Sequence, residues 1–373
     1  LKEKEDLGNN LLTKILDWLI LIDMNIVEFL NQLNFTTLFL IFIVSKLFIE
    51  TYLKTRNIKS INENKEKIPE RFTDVVTDEE YKKSINYNIE RIRFSILTSV
   101  FGVGVLLFFT IGGILNNLTV FVQAITASNI LGAILLGLLL IVIGEIIEIP
   151  LAVYSTFYIE EKYGFNKTTT KTFVTDLFKN LLIQSIFSSI LYAIVISIIE
   201  NLGNNWWIFA FVAVFLLQLV IFYIYPVLIL PLFNKFEPLE DEKFKEPIER
   251  LLKKIKFKAK GLFVMDGSLR SSHGNAFFTG FGSNKRIVFY DTLLETITPD
   301  EMESILGHEL GHYKLGHIKK TLISSIFFGF AGFYILGQVF QSENFFYGHG
   351  LDELTVYSKF LLFYLVVGSY TFF

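Results

Sequence analysis

The sequence predicts a mainly α-helical, multi-pass membrane protein with about seven transmembrane helices and one small β-sheet. Hydrophobic residues make up 52% of the 373 residues, phenylalanine occurs 40 times, and the mean hydropathy is +0.48. Charged residues amount to only 19%, fewer than a soluble enzyme of this length carries. Seven apolar runs are long enough to cross a bilayer, which takes about 20 residues. They lie near residues 34–53, 94–116, 129–151, 180–200, 206–230, 320–341 and 354–373.

Residues 11–30 form a further apolar segment, which charged residues interrupt at intervals. Lys14, Asp17, Asp23 and Glu28 suit a helix that lies in the membrane interface better than one that crosses the bilayer. We therefore expect an interfacial helix here, with an additional span as the alternative.

The chain changes character after residue 230, where lysine and glutamate become frequent. A helical pattern from Asp241 to about Ile255 precedes three short runs typical of β-strands. These runs are Gly261–Asp266, Asn275–Phe278 and Arg286–Tyr290, with glycines between them. The sequence thus divides into a membrane-spanning domain, residues 1–230, and a second domain, residues 231–373, which keeps the last two spans.

A helix with strong start signals follows the predicted sheet. Thr298 is a suitable N-cap, Pro299 fits the first helical position, and Asp300 and Glu301 place negative charge in the first turn. Glu301 also completes a capping box with Thr298. We predict that this helix runs from Pro299 to about Gly316.

The same helix carries the sequence His308-Glu309-Leu310-Gly311-His312. Residues four apart lie about 40° apart around a helix, so His308 and His312 share one face and can hold one metal ion. Glu309 lies beside them, placed to act as a base on a metal-bound water. The pattern predicts a zincin-like peptidase domain with one Zn²⁺, and two surface histidines on a polar helix are the alternative.

Other residues limit this chemistry. The chain has no cysteine, so histidine and carboxylate side chains must hold any metal. A net charge of −3 gives no nucleic-acid footprint. His317 lies nine residues after His308, which is the opposite side of a continuous helix. We interpret it as a helix-end histidine rather than a third ligand.

Two carboxylates lie inside the third apolar run. Charged groups within a span are costly and mark a functional site by default, and Glu145 and Glu148 would then line a water-filled cavity or an ion path. Equally, both lie just ahead of Pro150, close enough to the end of the span to reach the lipid headgroups. The sequence leaves these two interpretations open.

Basic residues alternate between successive loops. The connections after the first, third and fifth spans are rich in lysine and arginine, whereas residues 116–128, 200–205 and 341–354 contain neither. By the positive-inside rule, this alternation places the H-E-x-x-H helix on the cytoplasmic side, or near it within the membrane.

Four blocks of the sequence together carry a family resemblance. They are Thr156–Thr168, Tyr225–Leu239, Asp266–Phe278 and His308–His317. In these blocks the chain resembles the CAAX prenyl protease 1 family of multi-spanning zinc metalloproteases, and the similarity runs from about residue 40 to the last residue. Four blocks in the same order are far more specific than the H-E-x-x-H motif alone.

The resemblance implies seven spans around a large water-filled chamber in the membrane. The zinc site would face this chamber, and the two carboxylates of the third apolar run could line it. The resemblance further implies that His308 and His312 bind zinc and that Glu309 is the general base. It also implies that Asn275-Ala276-Phe277 forms the edge strand against which the substrate lies. Gly274 stands where the family usually has a serine.

The third zinc ligand of this family is a glutamate in a helix that follows the seventh span. The chain stops at Phe373, inside that predicted span, so we expect the ligand beyond Phe373. The acidic residues of the 341–354 loop are predicted on the far side of the membrane, and we reject them as ligands. Together with an opening Leu1, these features favour an incomplete sequence.

The sequence therefore predicts a zinc-dependent integral-membrane endopeptidase. A catalytically inactive membrane scaffold or chaperone is one alternative, because the third ligand is missing. A transporter or channel is another, but the chain has no internal repeat and does have H-E-x-x-H. The expected partners are the lipid bilayer and a peptide or protein substrate, lipidated in the eukaryotic branch, and no nucleic acid.

The physiological substrate and the membrane are less well defined by the sequence. The eukaryotic branch of the family trims prenylated C-termini, whereas a bacterial member would serve membrane-protein quality control. The absence of cysteine and the abundance of isoleucine, lysine and asparagine favour the bacterial inner membrane over the endoplasmic reticulum. No feature of the sequence indicates an oligomeric state.

Overall fold

The computed structural model describes residues 28–66, 68–255, 257, 261–279 and 286–371. The predicted interfacial helix at residues 11–30 lies almost wholly outside them. We label the helices α1 (Phe35–Asn64), α2 (Asp78–Phe109), α3 (Ile114–Ile125), α4 (Asn129–Tyr154), α5 (Thr170–Asn201), α6 (Trp206–Ile224), α7 (Leu230–Phe233), α8 (Glu242–Lys254), α9 (Asp291–Thr296), α10 (Pro299–Lys314), α11 (His317–Val339), α12 (Glu343–Gly348) and α13 (Val356–Val367). The strands are β1 (Phe236–Pro238), β2 (Gly261–Met265), β3 (Ala276–Thr279) and β4 (Arg286–Tyr290).

Six helical segments of the described chain are long and apolar enough to cross a membrane. They are Phe35–Asn64, Asp78–Phe109, Asn129–Glu160, Thr170–Asn201, Gly203–Phe233 and Pro299–Val339. They correspond to the first six predicted spans and confirm a multi-pass, mainly helical fold. The seventh predicted span, residues 354–373, contains α13, an apolar helix of 12 residues that is shorter than a full span of about 20. The structure adds α3, another apolar helix of 12 residues, within a connection expected to be a loop.

Two of the long helices end in π-helical turns. Helix α4 continues into the turn Ser155–Glu160, and α6 continues into Tyr225–Ile229, which leads to α7. Pro226 lies inside the second turn, where it cannot donate the backbone hydrogen bond of a regular α-helix.

The chain forms two compact units, each assembled from separate segments. The first contains the described residues of 1–140, 188–211 and 330–373, and the second contains those of 141–187 and 212–329. In the first unit, α1 packs on α2 and α12, and α3 packs on α2 and α13. The functional division at residue 230 stays a prediction.

The second unit contains a four-stranded mixed sheet with the strand order β1-β2-β4-β3. Strands β2 and β4 are parallel, β1 is antiparallel to β2, and β3 is antiparallel to β4. The three predicted strands are confirmed to within one residue at each end. Strand β1 has only three residues and ends in Pro238, so it left no strand pattern in the sequence. Strand β4 is one of the two inner strands and its three middle residues are buried, whereas β3 lies at one edge.

A hydrophobic core joins this sheet to α8 and α10. Its buried members include Phe244, Ile248 and Leu252 from α8, Met302, Leu306 and Leu310 from α10, and Ile287 and Phe289 from β4. In both helices these residues are four apart and so form one stripe. Burying a side chain of this size contributes about 1.5–3 kcal/mol, so the core fixes α10 against the sheet.

Candidate metal centre and peptide-binding edge

Helix α10 begins with the predicted capping box. The Thr298 amide donates to Glu301 Oε2 at 2.7 Å, and the Glu301 amide donates to Thr298 Oγ1 at 3.4 Å. These bonds satisfy two backbone amides that have no partner within the helix. The helix therefore starts where predicted, at Pro299, and ends at Lys314, two residues before the predicted end.

The buried stripe of α10 turns the two histidines away from the core. His308 and His312 lie about 140° around the helix axis from Met302, Leu306 and Leu310, and both are exposed. Their Nε2 atoms are 3.1 Å apart. Zinc binds imidazole nitrogen at about 2.0–2.1 Å, so two ligands of one tetrahedral ion lie about 3.3 Å apart. The spacing of these two nitrogen atoms therefore fits one shared zinc ion.

His317 lies beside His312, which the sequence did not predict. The spacing argument assumed one continuous helix, but α10 ends at Lys314 and Gly316 takes a left-handed φ of +67°. This turn returns His317 to the face that carries His308 and His312, where its Nδ1 lies 2.7 Å from His312 Nδ1. A histidine that binds a metal through Nε2 usually donates its other ring N–H to a nearby acceptor, and His317 Nδ1 can be that acceptor.

Glu309 is half-buried and follows His308 directly along the helix. Within the described residues, no cluster of three or more histidine, aspartate or glutamate side chains is arranged to hold a metal ion. The structure thus brings together two of the predicted zinc ligands and the predicted base, without a third protein ligand among the described residues.

Among the described residues, strand β3 presents backbone hydrogen-bonding groups along the side that faces away from β4. The Tyr290 amide donates to the Asn275 carbonyl at 2.9 Å, so the backbone groups of Asn275 point towards β4. Because successive residues of a strand alternate in direction, the N–H and C=O groups of Ala276 and Phe278 point to the open edge. The Ala276 amide is bonded there to Asn275 Oδ1 at 2.8 Å. Phe277 lies between these two residues, with its backbone groups on the β4 side.

The remaining predicted positions have simpler surroundings. Glu145 and Glu148 lie three residues apart on α4 and so on one face, with Glu145 half-buried and Glu148 exposed. Gly274 lies against Leu293, and a Cβ at this position would come within 3.0 Å of the Leu293 side chain. A larger residue at position 274 would therefore require Leu293 to shift by a few tenths of an ångström.

Two protein-family models match consecutive parts of the chain. Residues 57–235 match the description "CAAX prenyl protease N-terminal, five membrane helices", and residues 238–370 match Peptidase family M48. The second match includes the whole sheet except part of β1, together with α10.

Curated proteins and a solved structure are similar over most of the chain. CAAX prenyl protease 1 of Saccharomyces cerevisiae is 33% identical over 84% of this chain and 72% of its own length. The Arabidopsis thaliana homologue of that protein is 34% identical over 86% of this chain and 77% of its own length. The crystal structure of S. mikatae Ste24p superposes with a TM-score of 0.81 and 30% identity, covering 91% of this chain and 82% of that chain. The protein is therefore a multi-pass membrane metallopeptidase that belongs to the CAAX prenyl protease 1 family.

Proposed function

We propose that this protein is a zinc-dependent endopeptidase that cleaves the C-terminal part of prenylated proteins. The observation that carries the metal assignment is the 3.1 Å approach of His308 Nε2 to His312 Nε2, with Glu309 on the same helix. The substrate assignment rests on the curated relatives, whose names describe CAAX prenyl proteases.

In the proposed reaction, His308 and His312 would hold the zinc ion through Nε2. Once bound there, the ion would supply a water of lowered pKa, about 7, and polarisation of the peptide carbonyl. Glu309 accepts the proton of the attacking water and then donates it to the leaving amine. His317 holds the ring of His312 in one orientation through the contact between their Nδ1 atoms.

The open edge of β3 binds the substrate backbone in this proposal. An extended peptide adds to the sheet as a further strand and pairs with Ala276 and Phe278. The carbonyl of the peptide replaces Asn275 Oδ1 as the acceptor for the Ala276 amide. The freed Asn275 side chain is then available to hydrogen-bond the peptide itself.

Two further assignments complete the proposal. Glu145 and Glu148 line a water-filled chamber in the membrane. The alternation of basic loops supports a cytoplasmic position for α10. If the protein comes from a bacterial inner membrane, membrane-protein quality control takes the place of prenyl-protein processing.

The proposal is tested with the purified full-length protein and two peptides of identical sequence. One peptide carries a farnesyl group on its CAAX cysteine and the other does not. We expect about one zinc ion per chain, cleavage that a chelator stops and zinc restores, and a preference for the farnesylated peptide. Cleavage without metal would contradict the zinc assignment, and equal cleavage of both peptides would favour quality control.

A further inference from the structure

Strand β3 follows a loop, Asp266–Gly274, that is attached at many points to other parts of the second unit. Arg270 lies in the middle of this loop, and its side chain is about three-quarters buried. Its Nε donates to Asp176 Oδ2 at 2.7 Å, and one terminal nitrogen donates to Asp176 Oδ1 at 3.0 Å. Asp176 belongs to α5, so this two-point pair ties the loop to a membrane helix.

The remaining donors of Arg270 contact the end of a second membrane segment. Nη1 donates to Asn234 Oδ1 at 2.9 Å. Nη2, which already donates to Asp176 Oδ1, also donates to the Phe233 carbonyl at 2.8 Å. Phe233 ends α7, which follows the π turn of α6. A planar guanidinium can serve all these acceptors at once, which a lysine ammonium cannot do in the same geometry.

The backbone of the loop is attached to the connection between α4 and α5. The Arg270 carbonyl accepts from the Lys167 amide and from Thr168 Oγ1, both at 3.0 Å. Next to it, the Ser272 amide donates to the Phe165 carbonyl at 3.1 Å. The His273 ring stacks on the Phe165 ring with 4.3 Å between their centroids.

This anchored loop passes directly into the open edge strand. The His273 carbonyl accepts from Thr292 Oγ1 at 3.0 Å, and Gly274 lies against Leu293. The next residue, Asn275, is already paired with β4. Only Gly274 therefore separates the anchored part of the loop from the residues that present Ala276 to a peptide.

We propose that Arg270 is a positioning residue for substrate binding. It clamps the Asp266–Gly274 loop to Asp176 and to the end of α7. The clamp fixes β3 in the register at which a bound peptide places its scissile bond at the metal. This inference rests on the proposed function, because it takes β3 as the substrate-binding strand. Arg270 itself touches neither the peptide nor the metal-binding histidines.

The test compares Arg270→Gln, Asp176→Ala and the double variant in the full-length protein. Lys179→Gln is the matched control, because Lys179 also joins α5 to α7, through a 2.7 Å bond to the Leu232 carbonyl, but does not touch the loop. For each variant we measure KM, kcat per bound zinc, melting temperature and the position of cleavage by mass spectrometry. Binding of a fluorescein-labelled farnesylated CAAX peptide is measured separately in proteins that also carry Glu309→Gln. This measurement gives the peptide Kd without hydrolysis of the peptide.

We expect each single variant to raise KM and the peptide Kd about tenfold, the effect of one lost charge-assisted contact. Cleavage spreads to neighbouring bonds, whereas kcat per bound zinc changes little. The double variant has the same KM and Kd as the single variants, because both substitutions break the same clamp. The control keeps KM and the cleavage position. A loss of folded or zinc-loaded protein with unchanged Kd and cleavage position would overturn the inference. A failure of the proposed function would give a different result, because the wild-type protein itself would then bind the peptide without cleaving it.

Discussion

His312 and His317 lie with their Nδ1 atoms 2.7 Å apart, on either side of the turn that ends α10. The contact leaves His312 Nε2 facing His308 Nε2, as a shared metal ion requires. It therefore couples the ring orientation of a proposed ligand to the first residue of α11.

Replacing His317 with alanine should weaken zinc binding. Loss of a hydrogen-bonding partner behind a metal ligand typically costs about 10- to 100-fold in metal affinity. We expect the His317→Ala protein to lose zinc at lower chelator concentrations, and excess zinc to restore most of its activity. Competition with a zinc-binding dye measures the affinity. Lys320→Ala, an exposed change in the same turn of α11, should have no effect, and wild-type affinity in His317→Ala would contradict the role.

The pairing of β3 predicts different effects for two neighbouring proline substitutions, one on KM and the other on the melting temperature. The Ala276 amide points away from β4, so Ala276→Pro removes an outward donor while keeping the pairing within the sheet. We expect KM to rise about tenfold with little change in melting temperature. Phe277→Pro removes an amide on the β4 side and should lower the melting temperature instead. An Ala276→Pro protein with normal KM would show that the peptide does not pair at this edge.

The extent to which the sequence predicted this site depends on how local each signal is. Thr298, Pro299 and Glu301 specify the start of α10 within four residues, so the helix and its two histidines were predictable. The three longer strands were predictable for the same reason, since each carries its own pattern. The outward direction of the Ala276 amide was not, because it depends on which strand pairs with β3.

Other parts of the site had no pattern of their own in the sequence. Arg270 and Asp176 are 94 positions apart, and no periodicity in the sequence connects them, so only the tertiary structure supplied this contact. The position of His317 depends on a local turn in which Gly316 takes a left-handed φ, whereas the spacing argument assumed a continuous helix.

His349 should make stability depend on pH in the first unit. It is fully buried, with Nδ1 2.6 Å from the Phe345 carbonyl and Nε2 2.7 Å from the Tyr370 hydroxyl. Burial lowers the pKa of His349 to about 4, although the bond to Phe345 acts in the opposite direction. In the unfolded chain the same histidine has a pKa of about 6.5. As the pH falls, His349 is therefore protonated in the unfolded state before it is protonated in the folded state.

The stabilisation from neutral His349 should be complete above about pH 6.5 and lost as the pH falls through about 4, a change of up to about 3 kcal/mol. Melting curves in detergent at a series of pH values measure it. His349→Gln should flatten the wild-type slope in this window. A wild-type slope in the His349→Gln protein would contradict the assignment.

The most direct test of the proposed chemistry compares Glu309→Gln with the wild-type protein, measuring zinc content and peptide cleavage on the same samples. Glutamine keeps the size of the side chain but cannot accept the proton of the attacking water. The proposed mechanism predicts equal zinc content and melting temperature in the two proteins, with cleavage lost in the variant. A zinc-loaded Glu309→Gln protein that cleaves at the wild-type rate would contradict it.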